Sequence, residues 1–166
     1  MSTEQGEVYA EFIAVELQHE RQRRERLDAR ATATVVTSGA LVTLATTLGI
    51  LDPVSIRTQP AVLRSTFVVA TALIMVSVVV ALVGGWLHGY EVLGSAGLRR
   101  MVTSSWKEGS VTARSRVAQF NVMTLDALRE GNNRKARKLL AAHVLQVVGI
   151  AGLVIVAVWG ATTSTQ

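Results

Sequence analysis

Residues 65–87, STFVVATALIMVSVVVALVGGWL, decide the fold class of this chain. The stretch contains no charged residue, and thirteen of its side chains are Phe, Val, Leu, Ile or Met. As a helix, its 23 residues would extend about 35 Å, enough to cross the hydrocarbon core of a bilayer, which is about 30 Å thick. A β-strand is rarely half this long. The stretch therefore predicts a transmembrane helix.

Two further uncharged windows, residues 31–51 and 139–160, have similar lengths. All seventeen Lys and Arg residues and all twelve Asp and Glu residues lie outside the three windows. Each window is long enough to cross a bilayer as a helix. We therefore predict an all-α membrane protein with three transmembrane helices and long cytoplasmic helical extensions.

The distribution of basic residues predicts the orientation. Five Lys or Arg residues precede the first window, two lie between the first and second, ten lie between the second and third, and none follows the third. Because cytoplasmic flanks carry the excess of positive charge, residues 1–30 and 88–138 should be cytoplasmic and the C-terminus outside. The N-terminus is acidic and lacks the apolar core of a signal peptide, so we expect the first window to be retained.

The composition excludes several classes of function. The net charge of +5 would suggest nucleic-acid binding in a soluble protein, but most basic residues lie close to a window, so we predict membrane lipid with anionic headgroups as the partner. The chain has no cysteine, and its three histidines are too scattered for a metal site. No hydrolase, zinc-protease or nucleotide-loop motif is present. We therefore predict no enzymatic activity, catalytic residue, cofactor or metal.

The cytoplasmic segments should be largely helical. Neither Gly nor Pro occurs between Gly6 and Gly39, so one helix is predicted from about Glu4 through Leu51. Its narrow apolar stripe near the N-terminus would pack on a neighbouring helix or lie on lipid. Apolar residues at helical spacing predict a second, amphipathic helix over 111–129, which we expect to stop at Gly131-Asn132-Asn133. A short helix is expected around 98–105.

The first window contains seven Ser or Thr residues and two glycines, so its hydropathy is the weakest of the three. Small and hydroxyl-bearing residues allow close helix approach in membranes, which suits a bundle interior or a subunit contact. A pore lining is the alternative. The residues predicted to make the subunit contact of a homo-oligomer are Thr34, Ser38, Gly39, Thr43 and Thr46.

His143 and Gln146 are polar residues three positions apart inside the third window. Polar groups within a membrane span usually face protein or water. An interhelical hydrogen bond is one interpretation of this pair, and a role in conduction or gating is the other.

A short pattern occurs twice at the start of an apolar window, as Asp28-Ala29-Arg30-Ala31 and Asn133-Arg134-Lys135-Ala136. Asp28, Arg30, Asn133 and Lys135 occupy its polar positions. The pattern suggests that a cytoplasmic helix running into a span is used twice, with the Asp or Asn capping the helix or pairing with the adjacent cation. Alternatively, the two copies are unrelated clusters of basic residues, each marking the cytoplasmic end of a span as the positive-inside rule predicts.

The run from Glu20 to Ala45, ERQRRERLDARATATVVTSGALVTLA, resembles the opening of the transmembrane Pycsar effector family. Members of that family begin with a helix leading into an Asp-x-Lys-Ala turn and then a small-residue span; here Arg30 stands in place of the Lys. Asn133 and Lys135 before the last window match a similar Asn and Lys pattern. The segment from Tyr90 to Ser110 departs from the more aromatic middle region of the family.

This resemblance implies a bacterial cytoplasmic-membrane protein that impairs the membrane in response to a cyclic pyrimidine nucleotide, as in antiphage defence. The predicted function is therefore an oligomeric, non-catalytic membrane effector. A cyclic nucleotide would require cytoplasmic cations, for which the candidates are Arg99, Arg100, Arg114 and Arg116.

The chain is also similar to small integral membrane proteins encoded with plasmid-transfer functions, which share basic N-terminal helices and Val- and Ala-rich spans. The alternative function is thus a membrane scaffold or pore that assists plasmid DNA transfer. Nucleic acid is an expected partner only under this alternative, and its binding affinity should then fall steeply as the salt concentration rises.

Overall fold

The described residues of the computed structural model form three α-helices: α1 (Thr3–Leu51), α2 (Ala61–Gly85) and α3 (Ser110–Thr163). The structure describes residues 3–51, 60–85, 99, 103 and 109–163; within these, the side chains of residues 3, 4, 46, 48–51, 161 and 163 lie outside the description. No described residue is in a strand. The predicted all-α class is confirmed, and α1 is the single long helix that the absence of Gly and Pro predicts.

Two of the described helices are long and apolar enough to cross a membrane. They are α2, with a mean hydropathy of 2.8, and the Ser110–Gly160 part of α3, which contains a segment of mean hydropathy 2.4. Helix α1 is not among them over its described residues, and several side chains at its C-terminal end lie outside that description. The predicted third span, residues 31–51, stays a prediction.

Helix α2 begins four residues before its predicted start at Ser65. The carbonyl of Pro60 accepts hydrogen bonds from the backbone amides of Leu63 and Arg64, at 3.0 and 3.3 Å. The first amides of a helix have no acceptor within the helix, so the missing amide hydrogen of Pro60 costs no hydrogen bond at this position. The predicted end of the second window, at residues 86 and 87, lies outside the described residues. Of the short helix expected near 98–105, Arg99 and Thr103 are described and are both helical.

The predicted stop at Gly131-Asn132-Asn133 is wrong, because α3 continues through all three residues. Glycine costs about 1 kcal/mol and asparagine about 0.6 kcal/mol relative to alanine inside a helix. Tertiary contacts offset that cost: Asn132 is fully buried and donates two hydrogen bonds to Glu20 of α1. The predicted amphipathic helix 111–129 and the third window 139–160 are therefore parts of one helix.

The chain divides into two compact units. The charged unit consists of Met1–Leu27 and Leu87–Arg134, and the apolar unit of Asp28–Trp86 and Lys135–Gln166. In the charged unit, the first part of α1 lies parallel to the first part of α3. Leu17, Leu125 and Leu128 form the buried apolar cluster between them.

In the apolar unit, three helices pack together. Contacts of Asp28 with Lys135 and of Thr34 with His143 show that α1 and α3 run parallel, whereas Ser38 meets Ser77 of an antiparallel α2. Buried residues recur on each helix mainly at alternating intervals of three and four, which is the spacing of left-handed, knobs-into-holes packing. These residues are Ala31, Thr34, Ser38 and Ala45 of α1, Ala70, Ile74, Ser77, Ala81 and Gly84 of α2, and Lys135, Leu139, Ala142, Gln146 and Gly149 of α3.

Helices α2 and α3 approach each other most closely at two glycines. A Cβ atom added to Gly149 would lie 2.6 Å from Cγ1 of Ile74, and one added to Gly152 would lie 2.9 Å from Cβ of Ala70. Both distances are below normal van der Waals contact. The glycines therefore permit a helix separation that no side chain would allow.

Candidate functional site: polar contacts between the helices

Arg129 of α3 joins two carboxylates of α1 in the charged unit. Its Nη2 lies 2.6 Å from Oε2 of Glu16, and its Nε lies 3.7 Å from Oε1 of Glu20. Arg23 contacts the same carboxylate oxygen of Glu20, with a distance of 3.5 Å from Nη1 to Oε1. The Glu20 side chain is 13% exposed, whereas the side chains of Arg23 and Arg129 are more than 40% exposed. Glu20 is thus the least exposed member of a solvent-accessible ionic cluster.

Asn132 contacts the same glutamate from the buried side. Its Nδ2 donates to the main-chain oxygen of Glu20 at 3.0 Å and to Oε2 at 2.8 Å. Rotating the amide would place Oδ1 against two acceptors, so the orientation is determined by Glu20. Oδ1 is buried and has no hydrogen-bond partner in the described structure. A buried asparagine bonded in this directional way determines the register of two helices, as single buried asparagines do in coiled coils.

The predicted repeat residues make contacts between helices. In the charged unit, Arg23 donates to Oδ1 of Asn133 at 3.0 Å. In the apolar unit, Lys135 forms an ion pair with Asp28, in which the lysine side chain is 9% exposed and the aspartate side chain 47% exposed. Arg30 is exposed. The Asp of the first copy thus pairs with the Lys of the second copy rather than with the cation next to it in sequence.

His143 contacts α1 through a threonine. Its Nδ1 donates to the carbonyl of Leu139 at 2.8 Å, and its Nε2 lies 3.4 Å from the hydroxyl of Thr34. Thr34 is 2% exposed, and its hydroxyl also lies 2.9 Å from the carbonyl of Arg30, so its one hydrogen can go to that carbonyl or to Nε2 of His143. Of the two interpretations of His143, this geometry supports the interhelical hydrogen bond.

A buried polar layer crosses the centre of the apolar unit. Ser77 donates to the carbonyl of Ile74 at 2.7 Å, so Ser38 must supply the hydrogen of the 3.2 Å contact between the two serines. Both serines are completely buried. Thr34 of α1 contacts His143 of α3, and Ser38 and Gln146 each follow about one turn later on these parallel helices. Gln146, which is 9% exposed, therefore lies at the level of the two serines. Each of the three helices thus places one buried polar residue in this layer.

The residues predicted to make a subunit contact divide into two groups. Thr34 and Ser38 are buried inside the chain, so they are not available to a second copy. Gly39 and Thr43 are exposed, and a Cβ atom added to Gly39 would meet no atom within 4 Å. The side chain of Thr46 lies outside the described residues. The predicted contact is therefore restricted to the outward face of α1.

The predicted anion-binding arginines are mostly engaged or outside the description. Arg114 lies 3.5 Å from Glu7 of α1, with both side chains well exposed. Arg116 also has an interaction partner. Arg99 is exposed, and Arg100 lies outside the described residues. An anion site built from all four stays a prediction.

Sequence reasoning missed the roles of Glu20, Asn132 and Ser77. The Gly131–Asn133 run is typical of a helix end, which concealed the buried position of Asn132. Ser77 has a detectable signal, because it is the single polar residue between Thr71 and Gly84 and lies three and four residues from apolar core positions.

No protein-family model, curated protein or solved structure matches the chain. Among the described residues, no group of three or more His, Asp or Glu side chains is placed to bind a metal ion. The contacts between helices are the features from which a function can be argued.

Proposed function

We propose that this chain is an oligomeric, non-catalytic protein of the bacterial cytoplasmic membrane that permeabilises or perturbs that membrane in response to a cytoplasmic signal, as in antiphage defence. In this proposal residues 31–51 form a third span, and the charged unit lies in the cytoplasm. The outward face of α1 in the apolar unit is the observation that carries the proposal.

That face differs from the outward faces of the other two helices. On α2 and α3 the exposed side chains of the apolar unit are mainly large and aliphatic, such as Val68, Val79, Leu82, Val147 and Ile155. On α1 the exposed side chains are mainly small or hydroxyl-bearing: Thr32, Ala33, Thr37, Gly39, Ala40, Thr43 and Thr47, with Val36 and Leu44 as the described large exceptions. Acyl chains favour the first kind of surface, and close helix contact favours the second. Helix α1 is therefore suited to face another copy of the chain.

In the described part of the apolar unit, the helices pack closely at its centre: Ser38 and Ser77 are completely buried, and Gly149 lies against Ile74 with no room for a side chain. A leak would consequently run between copies, along the outward face of α1, whose threonine hydroxyls can contact water. Those hydroxyls also bond back to their own helix, as Thr43 does to the carbonyl of Gly39 at 2.9 Å, so the face is compatible with a dry contact too.

The charged unit is suited to respond to a signal because many of the described contacts between its helices are polar and accessible to solvent. Beside the leucine cluster and the bonds of Asn132 and Asn133, they include ion pairs such as those of Glu16 with Arg129 and of Glu7 with Arg114. Exposed ion pairs contribute about 0–1 kcal/mol each. A ligand that binds one arrangement about 5.5 kcal/mol better than the other would shift the population of that arrangement from about 1% to about 99%.

Disulfide cross-linking tests the oligomer. The chain has no cysteine, so single-cysteine variants are unambiguous. We expect Thr43→Cys to form cross-linked dimers in membranes. Ala72→Cys is the matched control, because Ala72 is exposed on α2 five residues from Ser77, as Thr43 is five residues from Ser38. Equal cross-linking by both variants, or by neither, would contradict an α1 interface.

Leakage from vesicles tests the effector function. Purified chain in vesicles loaded with a small dye should release the dye when the correct cytoplasmic ligand is added, and cyclic pyrimidine nucleotides are the first ligands to try. Thr43→Leu should alter the leak more than Ala72→Leu. An assembly that releases neither dye nor ions with any ligand refutes the function. If it instead co-purifies with DNA or a transfer ATPase, the scaffold alternative is favoured.

A further inference from the structure

Basic residues from two helices lie at one level of the apolar unit. A Cβ atom added to Gly84 would lie 3.3 Å from Cβ of Lys138, and one added to Gly85 would lie 3.7 Å from Cβ of Ala31. Lys138 and Ala31 therefore lie at the same end of α2. Arg137 and Arg30 immediately precede them in sequence, so three cations are present at this level.

Within the described residues, these three cations have no carboxylate partner. In the part of the chain that the structure describes, the side chains of Arg30, Arg137 and Lys138 form no ion pair and no hydrogen bond. The nearby carboxylate, Asp28, is engaged by Lys135. Other described cations contrast with them: Arg114, Arg129 and Arg134 each form an ion pair with a glutamate.

An aliphatic surface begins directly beside Arg137 on the same face of α3. Leu140, Val144 and Val147 follow it at intervals of three, four and three residues, and their exposed fractions are 67%, 55% and 64%. At these intervals the side chains lie one above another along the helix. The surface thus presents a positive end and an apolar stripe of roughly two turns, about 10 Å long.

We propose that Arg30, Arg137 and Lys138 bind the phosphate of an anionic phospholipid, such as phosphatidylglycerol, whose acyl chain lies along Leu140, Val144 and Val147. A soluble phosphate ligand, such as a nucleotide, would use the cations but leave the stripe uncovered, whereas a phospholipid matches both. The site rests on the membrane location in the proposed function, but it does not depend on the leak. It would bind a specific lipid in addition to any general attraction to a negative surface.

Native mass spectrometry of the full chain, released from mixed micelles that contain equal amounts of phosphatidylglycerol and phosphatidylcholine, tests the site. We expect phosphatidylglycerol to be retained preferentially. Because a basic residue near an anionic lipid contributes about 1 kcal/mol, Arg30→Gln and Arg137→Gln should each weaken retention about five-fold. Arg64→Gln is the matched control, since Arg64 is an exposed arginine at the start of α2, at the opposite end of the apolar unit. It should retain the lipid like the unmodified chain.

Two competitors identify the source of the phosphate. Inorganic phosphate, and glycerophosphoglycerol without acyl chains, should displace little lipid at millimolar concentration. Displacement by either one would overturn the lipid assignment in favour of a soluble phosphate ligand. Equal retention of the two lipids, or an equal loss in the Arg64→Gln and Arg137→Gln variants, would also overturn it. A chain that leaks but shows no lipid preference refutes this inference alone, and one that binds phosphatidylglycerol but never leaks refutes the effector function alone.

Discussion

Asp28 and Lys135 form an ion pair whose two side chains differ in exposure, and this difference predicts an asymmetric response to mutation. The lysine side chain is 9% exposed and the aspartate side chain 47% exposed. Asp28→Asn leaves a buried ammonium group without its counter-charge. Lys135→Met retains most of the aliphatic stem and leaves a carboxylate that water can reach.

The magnitudes follow from these exposures. Removing one partner of a fully buried ion pair costs about 3–5 kcal/mol. Because water reaches half of Asp28, we expect about 2–3 kcal/mol for Asp28→Asn. For Lys135→Met we expect about 1 kcal/mol or less, as for an exposed pair. The double variant buries no charge and should lie within about 1 kcal/mol of the original chain.

The free energy of unfolding can be measured in detergent micelles by titration with SDS, followed by far-UV circular dichroism. Glu25→Gln is the control for loss of a carboxylate, because Glu25 is exposed on the same helix. It should change stability by less than about 0.5 kcal/mol. The reasoning is refuted if Lys135→Met is at least as costly as Asp28→Asn, or if the two single effects simply add in the double variant.

Three further predictions use the same measurement. Gly149→Ala should destabilise the chain by about 1–3 kcal/mol through overpacking, whereas Gly39→Ala, at an open position, should stabilise it by up to about 1 kcal/mol; equal effects would contradict the close approach of α2 and α3. Ser77→Ala should cost about 1–2 kcal/mol because it leaves the Ser38 hydroxyl unpaired, and the double alanine variant should cost little more, so additive losses would count against their bond. Asn132→Ala should cost about 2 kcal/mol, because it removes two hydrogen bonds that contribute about 1 kcal/mol each. A cost below about 0.5 kcal/mol, less than one such bond contributes, would exclude a role of Asn132 in the helix register.

Much of the helical architecture could be predicted from local sequence. The absence of Gly and Pro predicted α1, and continuous hydrophobicity predicted α2. The missed continuity of α3 has a specific cause. Gly131-Asn132-Asn133 has a low intrinsic helix propensity, and the contacts that compensate for it come from Glu20, which is 112 residues away in sequence. Local propensity contains no information about such a partner.

The candidate site was only partly predictable for the same reason. His143 and Gln146 could be singled out because a polar residue in an apolar window is visible in sequence. That His143 contacts Thr34, and that Thr34 and Ser38 face inward while Gly39 and Thr43 face outward, depends on the rotation of α1 relative to α2 and α3. The small residues around the first window allow several rotations, so the window alone does not select one.

The sequence by itself determined that the chain is helical and that two helices are apolar enough to cross a membrane, because length, charge and hydropathy are properties of each segment alone. The tertiary structure decided which polar residues meet. Lys135 pairs with Asp28 across 107 residues, and Asn132 with Glu20 across 112, because buried polar groups need partners in one particular helix register. It also decided which face of α1 and which cations stay open, and both proposals depend on those two surfaces.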